Sequence, residues 1–281
     1  MADTMKQAVD LSGEKIHWDQ DISYDSYLDL GTLLDAQKPR SGEHDEMLFI
    51  IIHQSAELWM KLCIHEISGA MEQVKQDDLR PAFKMLSRVS KIQAQLLQSW
   101  EVLSTMTPSD YAKFRDTLGQ SSGFQSFQYR TMEFALGNKN ADMVKAHRSS
   151  PERFESLSKI LAAPSFYDLT LQLLAKRGLN IPEKSLSRDW SEPYVASKGV
   201  EDAWKLIYEN PNDYWDLYEL AEKLVDLEYH FQQWRFAHMK TVERIIGFRR
   251  GTGGTGGVSY LVKALDLRFF PELWTVRTNV R

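Results

Sequence analysis

From Glu46 to Met71 the apolar residues Phe49, Ile52, Ala56, Trp59, Met60, Cys63 and Ile67 return at every third or fourth position. That spacing places them on one stripe of an α-helix, the stripe that faces a core. The same period joins Tyr218, Ala221, Leu224, Phe231, Trp234, Val242 and Ile245 between Asp213 and Ile246, and Leu79–Leu103 reads as a third long helix. Thr107-Pro108-Ser109-Asp110 opens a shorter one, with a threonine cap, proline in the first turn and an acid at the third position. It runs through Tyr111 and Arg115 to Gly119, breaks at Gln120–Gly123 and resumes as FQSFQYRTMEFALG, and glycine closes both pieces. Further helices are expected at Ala141–Arg148, Pro151–Leu161, Ser165–Arg177 and Gly199–Glu209. No strand-like alternation, fixed-length repeat or low-complexity tail interrupts them. The expected fold class is all-α: one large helical domain over residues 1–281, with a polar excursion at 178–198 between helical segments of similar character.

Composition narrows the function classes. A chain of 281 residues, 43% of them hydrophobic, can bury a large core. The net charge of −5 is spread along the chain, so no nucleic acid and no membrane is expected as a partner. The single cysteine, Cys63, excludes an internal disulfide, a thiolate zinc site, an iron–sulfur cluster and covalently attached c-type haem. The N-terminal MADTMKQAVDLSGEKIHWDQD has no apolar run of signal-peptide length, so a cytoplasmic location is expected. Eight Trp, eleven Tyr and thirteen Phe are the one unusual total, and they suit the enclosure of a flat ligand.

The histidines carry the candidate chemistry. A di-iron carboxylate bundle needs two Glu-x-x-His pairs, and the chain has only Glu14-x-x-His17; the zinc-hydrolase HExxH is absent. His238 lies on the apolar stripe between Trp234 and Val242, where a lone imidazole suits one axial bond to haem iron, although a histidine on an apolar face is more often a core residue hydrogen-bonded to a neighbour. His53, one turn before Glu57, invites the same two readings. Tyr111 and Arg115, four apart, leave one helix face and can grip a carboxylate, or form a surface cation–phenol pair. Arg249 and Arg250 stand at a helix C-terminus, where positive charge needs no ligand. The run GTGGTGG (251–257) follows a helical pattern and lacks the Lys-Ser/Thr ending of a phosphate loop. Its backbone amides, with the Thr252 or Thr255 hydroxyl, suit a small anionic or zwitterionic head group; the alternatives are a linker or a lid.

Ordered blocks along the chain resemble the tryptophan 2,3-dioxygenase family: SYDSYLDLGTLLDAQ (Ser23–Gln37), HDEMLFIIIHQSAELWMK (His44–Lys61), FRDTLGQSSGFQSFQYRTMEFALGNK (Phe114–Lys139), WRFAHMKTVERIIG (Trp234–Gly247), GTGGTGGVSYL and RFFPELWTVR (Arg268–Arg277). The resemblance implies a haem enzyme that uses dioxygen to open the indole 2,3 bond of L-tryptophan, giving N-formyl-L-kynurenine. It implies haem b, one per subunit, in a pocket among the long helices, with His238 as the iron's axial ligand and Trp100 lining the pocket. It places His53 on the opposite side, within reach of the indole N–H as an orienting group, and Phe49 against the indole. Arg115, Tyr111 and Thr252 would hold the amino-acid end, and Ser122 and Gly123 would form the rim. The family forms homotetramers, which implies that residues 1–40 contact a neighbouring subunit and that Tyr24, Tyr27 and Leu28 close the neighbour's indole pocket.

Overall fold

The structure, a computed structural model, describes residues 9, 11–16 and 21–280. His17, and with it the Glu14-x-x-His17 pair, lies outside the described residues. Residues 1–39 form one compact unit and residues 40–281 another, where the sequence suggests one domain over 1–281. In the first unit, α1 (Tyr24–Leu28) begins at Ser23, whose hydroxyl accepts from the Ser26 amide, and α2 (Leu30–Leu34) follows after Asp29 alone. Neither helix buries a residue.

The second unit is built on three long helices. α3 (His44–Gln76) turns back into α4 (Leu79–Leu103) through Asp77 and Asp78, and Asp77 ends α3 in the left-handed conformation at φ 65°. Arg177 donates two bonds to Asp77 and a third to Asp216, which ties this turn to two other elements. α5 (Pro108–Phe114) starts at the Thr107 cap and passes into a 3₁₀ turn at Arg115–Leu118, which Gly119 closes at φ 58°. After a second 3₁₀ turn at Gly123–Gln125 comes α6 (Phe127–Leu136), capped by Ser126 and ended by Gly137 at φ 119°. α7 (Pro151–Ala162), α8 (Phe166–Lys176), α9 (Glu183–Leu186) and α10 (Lys198–Glu209) lead to the third long helix, α11 (Trp215–Ile246). α12 (Val258–Leu265) and α13 (Pro271–Thr275) follow the glycine-rich run.

α4 lies against both α3 and α11, and the buried stripes meet there: Cys63, Ile67 and Val74 of α3, Leu86, Val89 and Leu96 of α4, and Leu220, Leu224 and Phe231 of α11. No strand occurs among the described residues. Ala141–His147 forms 3₁₀ turns in place of the expected α-helix. Pro151 keeps Ser150 in an extended conformation, so the helical run from Asn140 has little length in which to propagate. The polar excursion is pinned to the core. Leu179, Ile181, Ser185 and Ser197 are buried, and Arg188 forks onto Asp168 at 2.9–3.0 Å. The Tyr194 hydroxyl and the Ser197 amide both donate to Glu272 at 2.7 Å.

Candidate active site

α3 carries the first part of the site. The His53 ring lies 4.1 Å from that of Phe49, and its Nδ1 lies 2.7 Å from the Phe49 carbonyl. A carbonyl only accepts, so Nδ1 bears the hydrogen and Nε2 keeps a free lone pair. Burial pushes the His53 pKa below its usual value, while the Phe49 hydrogen bond and the Glu57 charge pull it partly back, so the ring is neutral at pH 7. Phe49 also meets Phe114 edge-on at 5.7 Å and Tyr111 at 6.1 Å.

α11 and α4 supply the second part. Trp100 stacks on His238 at 4.5 Å with the planes 11° apart, and its other neighbours are His53 at 6.5 Å and Trp234 at 6.0 Å. Burial, and then the nearby His53, hold the His238 pKa down to about 4. The imidazole is therefore neutral at physiological pH, the state that donates a lone pair to a metal. The Trp100 and Trp234 indole rings both stack on His238, and their N–H groups are buried without partners. Buried donors are almost always satisfied, so a lone-pair donor flanked by two orphaned N–H groups and aromatic faces fits a flat, metal-bearing ligand with acceptor groups. Three residues before His238, Arg235 fixes the helix by donating to Glu133 at 2.6 Å, and to the Tyr129 hydroxyl and the Ala264 carbonyl at 3.2 Å.

The third part lies where α5 ends. Arg115 donates from Nη2 to the Arg250 carbonyl at 2.9 Å, keeps Nε buried without a partner, and faces no carboxylate among the described residues. Beside it, burial raises the Tyr111 phenol pKa while Arg115 opposes the shift. The Thr252 hydroxyl donates to the Ser121 carbonyl at 2.5 Å, which draws the glycine-rich run onto the 120–123 break. A Cβ on Gly253 would lie 2.6 Å from the Ser122 Cβ, and one on Gly257, at φ 62°, would lie 2.5 Å from the Arg249 carbonyl oxygen. The glycines therefore allow the backbone to lie directly against other backbone and against Ser122.

The sequence-based candidates fall into three groups. Phe49, His53, Tyr111, Trp100 and His238 form a continuous aromatic chain through Phe49 and Trp100. Arg115, Thr252 and Ser122 are joined through the glycine-rich run, and Gly123 opens the adjacent 3₁₀ turn. Tyr24, Tyr27 and Leu28 belong to the other unit, where they are exposed. The carbonyls of Ser121 and Arg250, which accept from Thr252 and Arg115, are not legible in the sequence because backbone acceptors leave no mark on residue type. The density of glycine was the only available signal.

The tryptophan 2,3-dioxygenase family model matches residues 11–163 and 205–280. The chain belongs to the tryptophan 2,3-dioxygenase family. Relatives bearing that name include one from Erythrobacter litoralis (strain HTCC2594), 60% identical over 261 residues that cover 93% of this chain and 99% of that protein. Another, from Bacillus thuringiensis (strain Al Hakam), is 56% identical over 94% of this chain and 96% of its own length. A third, from Bacillus cereus (strain ATCC 10987 / NRS 248), is 55% identical over 98% of this chain and the whole of its own. The matched residues include all three groups of candidates.

Proposed function

We propose that this chain is a haem-dependent dioxygenase that inserts both atoms of O₂ across the indole 2,3 bond of L-tryptophan, giving N-formyl-L-kynurenine, the first step of tryptophan degradation by the kynurenine route. The observation that carries the reading is family membership over nearly the full chain, joined to a neutral His238 stacked beside two indoles whose N–H groups are orphaned. His238 would hold haem b, one per subunit, with Trp100 lining its pocket, and the group would supply the iron that activates dioxygen. The C2–C3 bond breaks, one oxygen ends on the formyl carbon and the other on the ketone, and no external reductant is consumed.

The protein's contribution is position. Phe49 packs against the indole, and the His53 Nε2 lone pair accepts the indole N–H, which fixes the ring without removing a proton. Arg115 meets the substrate carboxylate with its unpartnered donors, helped by the Tyr111 phenol, and Thr252 lies near the ammonium group. Ser122 and Gly123 form the rim that excludes water. Tyr24, Tyr27 and Leu28 close the indole pocket of a neighbouring subunit in a homotetramer. Two features support that assembly: their exposure, and an apolar face of α3 that the unit leaves open at Met47, Ile51, Leu58 and Leu62. The reading places the enzyme in the cytoplasm, without nucleic acid or membrane as a partner. Mixing the haem-loaded protein with L-tryptophan and air and following N-formylkynurenine by absorbance tests it. Product is expected, and its absence with fully loaded protein would overturn the reading.

A further inference from the structure

The proposed site takes its indole-side residues, Phe49 and His53, from α3, and its amino-acid-side residues, Arg115, Ser122 and Thr252, from three other segments. Catalysis by positioning requires the two sides to keep a fixed separation, to within about 0.5 Å. Glu57, one turn beyond His53, makes the connection. Its Oε1 accepts from the Ser126 hydroxyl at 2.6 Å, its Oε2 accepts from the Gln128 amide nitrogen at 2.8 Å, and its backbone carbonyl accepts from the same nitrogen at 2.6 Å. Ser126 is the cap of α6 and is fully engaged, because its hydroxyl also accepts from the Tyr129 amide at 3.1 Å. From Ser126 the chain runs back through a turn closed at both ends. Ser126 N–H donates to the Gly123 carbonyl at 3.0 Å, Gln125 N–H donates to the Ser122 carbonyl at 2.9 Å, and the Gln125 side chain accepts from Ser122 N–H at 3.3 Å. The next residue, Ser121, holds Thr252, and Ser122 is the residue Gly253 lies against.

We infer that Glu57 is a positioning residue for tryptophan: its carboxylate clamps the 121–126 turn, and through it the Thr252 loop, to the helix that carries Phe49 and His53. The inference rests on the proposed function and deepens it. A charged acceptor for two neutral donors makes the clamp stiffer than a neutral amide would, because charge-assisted bonds are about twice as strong.

The test compares the haem-loaded wild type with Glu57→Ala by titrating L-tryptophan, which uses both sides of the site, and cyanide, which bonds iron and has no amino-acid end. The expected result for Glu57→Ala is at least a tenfold rise in Kd and KM for L-tryptophan, cyanide affinity within twofold of wild type, and kcat within about threefold. Unchanged tryptophan affinity in the variant would overturn the role of Glu57 while leaving the site standing. Equal loss of tryptophan and cyanide binding would also overturn it, since the effect would then be general collapse of the pocket. A wild type that binds cyanide and not L-tryptophan would overturn the functional reading and this inference together. If Glu57→Ala does not fold, Gln128→Ala removes the amide half of the clamp, and a split between the two ligands of at least threefold is expected; equal affinities would contradict the assignment.

Discussion

At the scale of single residues the account turns on two histidines with different duties. In the proposed function His53 acts through a lone pair, so its protonation would remove the acceptor for the indole N–H. Its folded pKa lies below 6.5, so the neutral form persists down through that value and is lost only at lower pH. The expected profile of kcat/KM for L-tryptophan is flat from pH 8 to about 6.5 and falls on the acid side. His53→Ala should retain haem and part of the rate, and should lose that acid limb. A limb that persists in the variant would assign it to another group. Arg115→Leu removes the forked donors and spares His238. If the charge-assisted pair contributes about 1.5–3 kcal/mol, KM should rise by roughly 10- to 150-fold with the haem spectrum unchanged. Steady-state saturation curves check this, and an unaltered KM would mean that the carboxylate is held elsewhere.

At the scale of elements, the glycine-rich run and the C-terminal helices are held by contacts whose loss has calculable signs. Gly253→Ala puts a Cβ 2.6 Å from that of Ser122. The loop must then move off the 120–123 break, and an increase in KM for L-tryptophan of tenfold or more is expected, with little change in melting temperature. Glu228 is fully buried on α11 and accepts from the Phe269 and Phe270 amides and the Trp274 indole. Burial raises its pKa despite those donors. Glu228→Gln turns one acceptor oxygen into a donor that faces other donors, and should destabilise the fold by about 2–4 kcal/mol, readable as a lower urea midpoint. The cost should grow as pH falls, since a carboxyl whose folded pKa is raised takes up its proton more readily in the folded state, so the wild type gains stability on acidification and the amide does not. These elements also mark what the sequence could and could not reveal. The three long helices were legible because their buried residues repeat with the helical period, and Thr107, Gly119 and Gly137 marked by residue type the ends of the shorter segments between α4 and α7. The anchoring of 178–198 was not legible. Its partners, Asp168 and Glu272, lie in other elements, and a buried charge with a distant partner looks in sequence like a solvated one.

At the scale of the whole molecule, family membership was legible from ordered blocks spread over the chain, and the clustering of Phe49, His53, Trp100 and His238 follows from the packing of α3, α4 and α11. The assembly is a matter of exposed surface. Met47, Ile51, Leu58 and Leu62 fall within about 60° of arc on α3, away from the face that carries His53. An apolar stripe of this kind marks a protein interface. If the protein forms the proposed homotetramer through this face, the double variant Leu58→Asp/Leu62→Asp should sediment as a smaller species than the wild type. Tryptophan affinity should fall with it, because Tyr24, Tyr27 and Leu28 would no longer reach a neighbour's pocket. A tetramer that survives the double variant would place the interface elsewhere. The central claim concerns one bond and one substrate, and the most direct test is the absorption spectrum of the haem-reconstituted, reduced protein with and without L-tryptophan, read beside His238→Ala. The account predicts a Soret band that shifts on adding L-tryptophan and is lost or altered in the variant, followed in air by N-formylkynurenine from the wild type alone. An identical spectrum in His238→Ala, or a wild type indifferent to L-tryptophan, would contradict it.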